Sequence, residues 1–217
     1  MVSNALVIFY HKKNKFSFNT LLGAIEDDEE ILNNFKFYFI RNKNKLYDSI
    51  EEIVSIHREV VLCFSVSTPQ FFEIEEIVSN LRKKYNKKIL IIAGGPHPTG
   101  LPEETLKAGF DFIFRYESEK SFKEFLKEFI RDRNFHKVKG IFFRKNNEYV
   151  FSGRPEFINI DNYMPFSLRF RKFGPIEITR GCNHFCYYCQ TPRIFGVKLR
   201  HRSIEKILKY VEILKKI

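Results

Sequence analysis

The chemistry most clearly available to this 217-residue chain lies in one short loop, Arg180-Gly-Cys-Asn-His-Phe-Cys-Tyr-Tyr-Cys189. Cys182, Cys186 and Cys189 stand four and three positions apart, so their thiolates can take three corners of one iron–sulfur cluster. Soft sulfur ligands are what the iron of such clusters prefers. A [4Fe–4S] centre that only passes electrons carries protein thiolates on all of its irons. Three thiolates leave one iron open to an outside chelator. Gly181 lets the backbone turn before the first ligand. Zinc is the rival occupant, since three cysteines plus His184 make a tetrahedral set. However, His184 falls between Cys182 and Cys186, whereas zinc knuckles spread their ligands as two separated pairs. Three thiols sharing no metal, or acting in redox exchange, are the third reading. The remaining cysteine, Cys63, lies inside an apolar run and reads as packing.

A second group of polar and glycine residues gathers only if the chain folds as its pattern predicts. Apolar runs at 5–10, 37–40, 59–66, 88–93 and 110–114 read as strands, and helical spacing separates them. Helices are predicted within 17–34, over 49–57, 70–85 and 118–130, with a short one over 102–108. Five strand–helix repeats imply a flavodoxin-like (Rossmann-like) α/β fold, a parallel sheet with helices on both faces. In such sheets ligands bind beyond the carboxyl ends of the strands. Three segments converge there: Ser65, Ser67 and Thr68; Gly94, Gly95, Pro96 and His97; and Tyr116 with Glu117. Each also has a purely structural reading. Gly-Gly-Pro is a turn signal, Ser67 and Thr68 suit a helix cap, and Glu117 suits a helix start.

Beyond that domain, assigned to residues 1–135, residues 136–174 read as a hairpin (139–153) and a proline-interrupted linker. A new unit opens at 175, with a strand at 176–179, the cysteine loop, and a helix capped by Ser203. Ile204, Ile207, Leu208, Val211 and Leu214 give that helix an apolar face. One strand and one helix do not make a domain, so the chain reads as the front portion of something longer.

Composition narrows the setting. Hydrophobic residues make up 44% of the chain, ample for a sizeable core. The net charge of +11 superficially suggests nucleic acid. Its lysines are scattered over loops and helix ends, without a nucleic-acid motif, and that argues against such a partner. Arg193 to Arg202 is the one stretch that could serve as a nucleic-acid surface. Clustered cysteines, no signal-peptide pattern and no membrane-length apolar run point to a reducing compartment, the cytoplasm.

The cysteine loop resembles the radical S-adenosylmethionine superfamily. Its Cys-x3-Cys-x2-Cys motif matches Cys182, Cys186 and Cys189, an aromatic residue precedes the last cysteine as Tyr188, and Thr179-Arg-Gly181 leads in. In that family the motif follows the first strand of a partial TIM-type barrel. The resemblance implies a [4Fe–4S] cluster, with S-adenosylmethionine chelating the open iron and Tyr188 near its adenine. An electron from an external donor would then produce a 5′-deoxyadenosyl radical that abstracts a substrate hydrogen.

The first 135 residues resemble the cobalamin-binding domain that precedes the radical domain in one subgroup. This implies that Ser65 to Thr68, Gly94 to His97, Tyr116 and Glu117 border the corrinoid. Two departures stand out. Arg115-Tyr-Glu-Ser-Glu119 occupies the place of a Gly-Glu-Gly-Glu run, and no Asp-x-His-x-x-Gly motif surrounds His11, which is therefore not expected to ligate cobalt. The implied activity is a cobalamin-dependent radical enzyme, with methyl transfer as one outcome. The alternatives are a radical enzyme without cobalamin, or a non-catalytic module binding iron–sulfur, zinc or nucleic acid.

Overall fold

The computed structural model describes residues 3–217. Its chain order is β1 (Asn4–Phe9), α1 (Lys15–Ile25), α2 (Glu29–Asn34), β2 (Phe35–Ile40), α3 (Lys43–Ile56), β3 (Val60–Ser65), α4 (Phe71–Tyr85) and β4 (Ile89–Gly94). There follow α5 (Pro96–Gly100), α6 (Pro102–Lys107), β5 (Phe112–Phe114), α7 (Glu119–Ile130), β6 (Ile141–Lys145) and β7 (Glu148–Phe151). The last part holds β8 (Thr179–Arg180), α8 (Thr191–Phe195), β9 (Arg200–His201) and α9 (Ile204–Lys215).

Strands β2-β1-β3-β4-β5 pair in parallel, in the flavodoxin-like order. The apolar runs are continuous because both faces of the sheet are covered. Along β1, Ala5, Val7 and Phe9 pack with α3 and α4, while Leu6 and Ile8 pack with α1, α2 and α7. The predicted helical stretch 17–34 divides into α1 and α2, because the Asp28 carboxylate accepts from the Ile31 amide and starts a new helix. Lys123 and Lys127 of α7 pair with the same carboxylate and hold α2 against it.

The hairpin β6–β7 extends this sheet. Strand β6 pairs antiparallel with β5, giving seven strands. The proline-containing segment after it is irregular but firmly docked. Phe166 is buried against Phe173 and Tyr210, and Glu26, just after α1, accepts from the Ser167 hydroxyl and the Arg169 amide.

Two details differ from the sequence expectation. The strand predicted over 176–179 is a two-residue ladder in which Arg180 faces Arg200 antiparallel. Helix α9 buries Tyr210, while Ile204 and Leu208 of its predicted apolar face are exposed. Tyr210 wins because its ring has both Phe166 and the Arg202 guanidinium to pack on. No helix among the described residues is long and apolar enough to cross a membrane.

Candidate functional site

A cleft of about 390 Å³ opens at the carboxyl edge of the sheet, between α1, the start of α7 and the segment that carries the cysteines. Sites for small molecules and cofactors commonly measure roughly 300–1,000 Å³. Part of its wall is apolar, with Phe18, Cys63, Ile92, Phe114 and Phe122. Another part is polar and carries Ser65, Tyr116, Glu117, Glu119, Glu177 and Arg180.

Of the residues predicted to border a ligand, Ser65, Gly94, Gly95, Pro96, Tyr116 and Glu117 line this cleft. Gly95 has φ +108°, and a β-carbon there would stand 2.8 Å from the Val66 carbonyl oxygen, so β4 can turn this tightly only with glycine. Ser67, Thr68 and His97 are not among its walls. Ser67 donates to the Gln70 side chain at the turn before α4. His97 is 2% exposed and stacks on Phe71 at 3.9 Å, with neither ring nitrogen hydrogen-bonded. The short α5 turns its ring toward α4, away from the cleft. Burial holds its pKa below the usual histidine value. His11 also lies outside the cleft wall.

Tyr116 takes a left-handed backbone conformation of the kind that glycine adopts freely. Its φ is +67°, a region that a bulky side chain rarely adopts. The ring is held between two guanidinium groups, Arg115 at 5.2 Å and Arg154 at 4.5 Å.

The two arginines of the β8–β9 ladder converge on the start of α7. Arg180 is 7% exposed; it donates to Glu177 through Nε at 2.9 Å and through Nη2 at 2.7 Å, and reaches Glu119 at 2.6 Å. Burial opposes its charge, but Glu119 and Glu177 outweigh this and raise its pKa. Arg200 forks onto Glu117, donating to Oε2 through Nη1 at 2.9 Å and to Oε1 through Nη2. Glu117 also accepts from the Ile158 amide, 3.1 Å away. Arg202 is 3% exposed and donates to the carbonyls of Ile160, Tyr163 and Glu177. The basic stretch 193–202 therefore spends two of its four cations, Arg200 and Arg202, on internal contacts.

The cysteine loop leaves this network at once. The Cys182 amide donates to Gly196 O at 3.1 Å, and the Cys189 amide to Cys186 O at 3.0 Å. All three thiols are free, Cys186 is exposed, and the other two are half-buried. Among the described residues, no three His, Cys, Asp or Glu side chains stand close enough together to form a metal site. The chemistry of the donor set fits a cluster nonetheless: three unpaired thiols share one loop, and the fourth cysteine is buried in β3. The hydroxyl and amide of Thr191 lower the Cys189 pKa, favouring the ligating thiolate. Burial pushes the Cys63 thiol far up. Phe185, Tyr187 and Tyr188 are exposed around the cysteines.

Sequence reasoning missed the bridging role of Arg180, Arg200 and Glu119. Their only signal was the placement of single arginines beside a motif and of a second glutamate at a helix start.

Residues 30–126 match the family model of the B12 binding domain, and residues 176–217 match that of the radical SAM superfamily. An uncharacterized methyltransferase of Pyrococcus horikoshii is 26% identical over 151 residues, 63% of this chain and 33% of that protein. The chain thus spans about a third of that relative's length. The cobalamin-dependent S-adenosylmethionine radical enzyme OxsB, solved with aqua-cobalamin, superposes with a TM-score of 0.72 at 18% identity, covering 98% of this chain and 32% of its own. The radical S-adenosylmethionine methyltransferase TsrM of Kitasatospora setae gives 0.73 at 14% identity, covering 97% of this chain and 45% of its own.

Proposed function

We propose, for a chain that joins a B12-binding domain to the opening segment of a radical SAM domain, that it serves a cobalamin-dependent radical enzyme. The observation that carries this reading is the shared wall: Arg180, two positions before Cys182, also lines the cleft at the sheet edge. Such a layout would set two cofactors side by side.

Cys182, Cys186 and Cys189 would hold a [4Fe–4S] cluster, with Tyr188 beside S-adenosylmethionine. Ser65, Gly94, Gly95, Pro96, Tyr116 and Glu117 would border the corrinoid, the aromatic base of whose nucleotide tail would suit the Phe18–Phe114–Phe122 wall. Ser67, Thr68 and His97 would support that row from behind. His11, which is not among the cleft-lining residues, would leave cobalt without a protein ligand. When bound, the reduced cluster supplies the electron that cleaves S-adenosylmethionine to a carbon radical, and cobalamin supplies a methyl carrier.

The protein's part is to ligate, position and exclude water. Gly95 brings backbone close to the ligand, and the apolar part of the wall keeps water out. The proposed substrate is a small molecule, the electron comes from an external donor, and the compartment is the cytoplasm. Methyl transfer is the reaction favoured by the methyltransferase relative. Radical chemistry without cobalamin is the second reading, supported by the free thiols alone.

The test is anaerobic reconstitution of the chain with iron and sulfide, then electron paramagnetic resonance with and without S-adenosylmethionine, beside aquacobalamin uptake followed by absorbance. A reduced [4Fe–4S] signal that shifts on adding S-adenosylmethionine, with corrin retained, is expected. A cluster without corrin retention selects the second reading, and zinc in place of iron overturns both.

A further inference from the structure

The ion network at the polar part of the cleft wall is out of balance. Glu117, Glu119 and Glu177 face two guanidinium groups, Arg180 and Arg200, leaving one carboxylate in excess. Glu117 and Glu119 are almost fully buried, while the Glu177 side chain keeps 33% of its surface exposed. In an open cleft, solvent would therefore reach the surplus charge through Glu177. Filling the cleft removes that water, and an ion pair strengthens as its surroundings become less polar. The Glu177 carboxylate then depends more heavily on the Arg180 fork.

Arg180 has little freedom to absorb such a change. Its backbone pairs with Arg200 across the β8–β9 ladder. The next residue, Gly181, has φ +96° and lies so close to Lys198 that a β-carbon would run into its carbonyl oxygen. The Cys182 amide is then fixed on Gly196. Residues 183–188 are exposed by comparison, so a shift at Arg180 reaches Cys182 before the other two thiols.

We propose that Arg180 is a positioning residue that couples occupancy of the cleft to the placement of Cys182. This rests on the cleft taking a corrinoid, and the two ideas fail differently. In cluster-free protein kept anaerobic and reduced, the rate at which iodoacetamide alkylates Cys182 is followed by peptide mass spectrometry, with and without saturating aquacobalamin. Corrin uptake is read separately by absorbance.

The expected result is about a fivefold slowing for Cys182 when the corrinoid is bound, the lower end of ordinary coupling between sites, with little change at Cys186. In Arg180→Gln, compared at the aquacobalamin concentration that gives the same corrin occupancy as in the unaltered chain, that difference disappears, and Arg180→Lys, which keeps the charge but not the fork, restores part of it. Glu177→Gln, at a half-exposed partner, weakens the coupling without threatening the fold. Corrin uptake with an unchanged Cys182 rate in the unaltered chain overturns the coupling alone. Absence of uptake overturns the cleft assignment and the coupling with it.

Discussion

Glu117 and Arg200, 83 positions apart in sequence, meet in a buried two-point ion pair that fastens the start of α7 to the far side of the cysteine loop. The pair leaves few polar atoms unused: Arg200 also donates to the carbonyls of Ile158 and Phe195, and Glu117 accepts from the Ile158 amide. A buried charge pair adds little net stability over an apolar pair, but removing one partner strands the other.

Glu117→Ala should therefore cost about 3–5 kcal/mol, the usual penalty for breaking such a pair. Urea denaturation measures it. Lys120→Ala, which breaks a solvent-exposed pair with Glu124, should cost at most about 1 kcal/mol. Equal losses in the two variants would mean that the Glu117 network is no more than surface charge.

The histidine buried beside Phe71 gives the fold a pH dependence. His97 has its pKa lowered by burial, so the folded chain keeps it neutral where the unfolded chain, near 6.5, begins to bind a proton. Stability is fully present above about pH 6.5 and falls as the pH drops below it, because the unfolded state then holds more protons. Melting midpoints recorded between about pH 7.5 and 5 should decline, and His97→Leu should flatten the slope. An unchanged slope in that variant would assign the decline to other groups.

What the sequence made legible divides along physical lines. The five strand–helix repeats were readable because strands buried on both faces are continuously apolar, as Val60 to Phe64 is, and because helix periodicity is local. The cysteine loop and Gly94-Gly95 were readable because their chemistry is written in adjacent residues. The docking of β6 on β5 was not, since its Ile-Phe-Phe run would suit many neighbours. His97 was expected among ligand-facing residues because it follows the glycine turn. The turn at Gly95 and the first two residues of α5 are enough to swing its ring to the other side. The Arg180–Glu119 and Arg200–Glu117 pairs join residues dozens of positions apart, and no local pattern records them.

The sharpest test of the loop's construction is Gly181. Its positive φ costs any other residue about 1–2 kcal/mol, and the added methyl would also meet the Lys198 carbonyl, with Gly196 O 3.3 Å away. Both obstacles are backbone, so neither can swing aside as a flexible side chain would. The bond from the Cys182 amide to Gly196 lies between them and should break first. Gly181→Ala should thus bind much less iron per chain after anaerobic reconstitution while its far-UV circular dichroism stays that of the parent, because the seven-stranded sheet is elsewhere. Gly94→Ala is the control: its β-carbon would make only an ordinary 3.6 Å contact with Phe114 and touch nothing in the cysteine loop. Full iron uptake by Gly181→Ala would show that Cys182 reaches its ligating position without the tight entry that Gly181 permits.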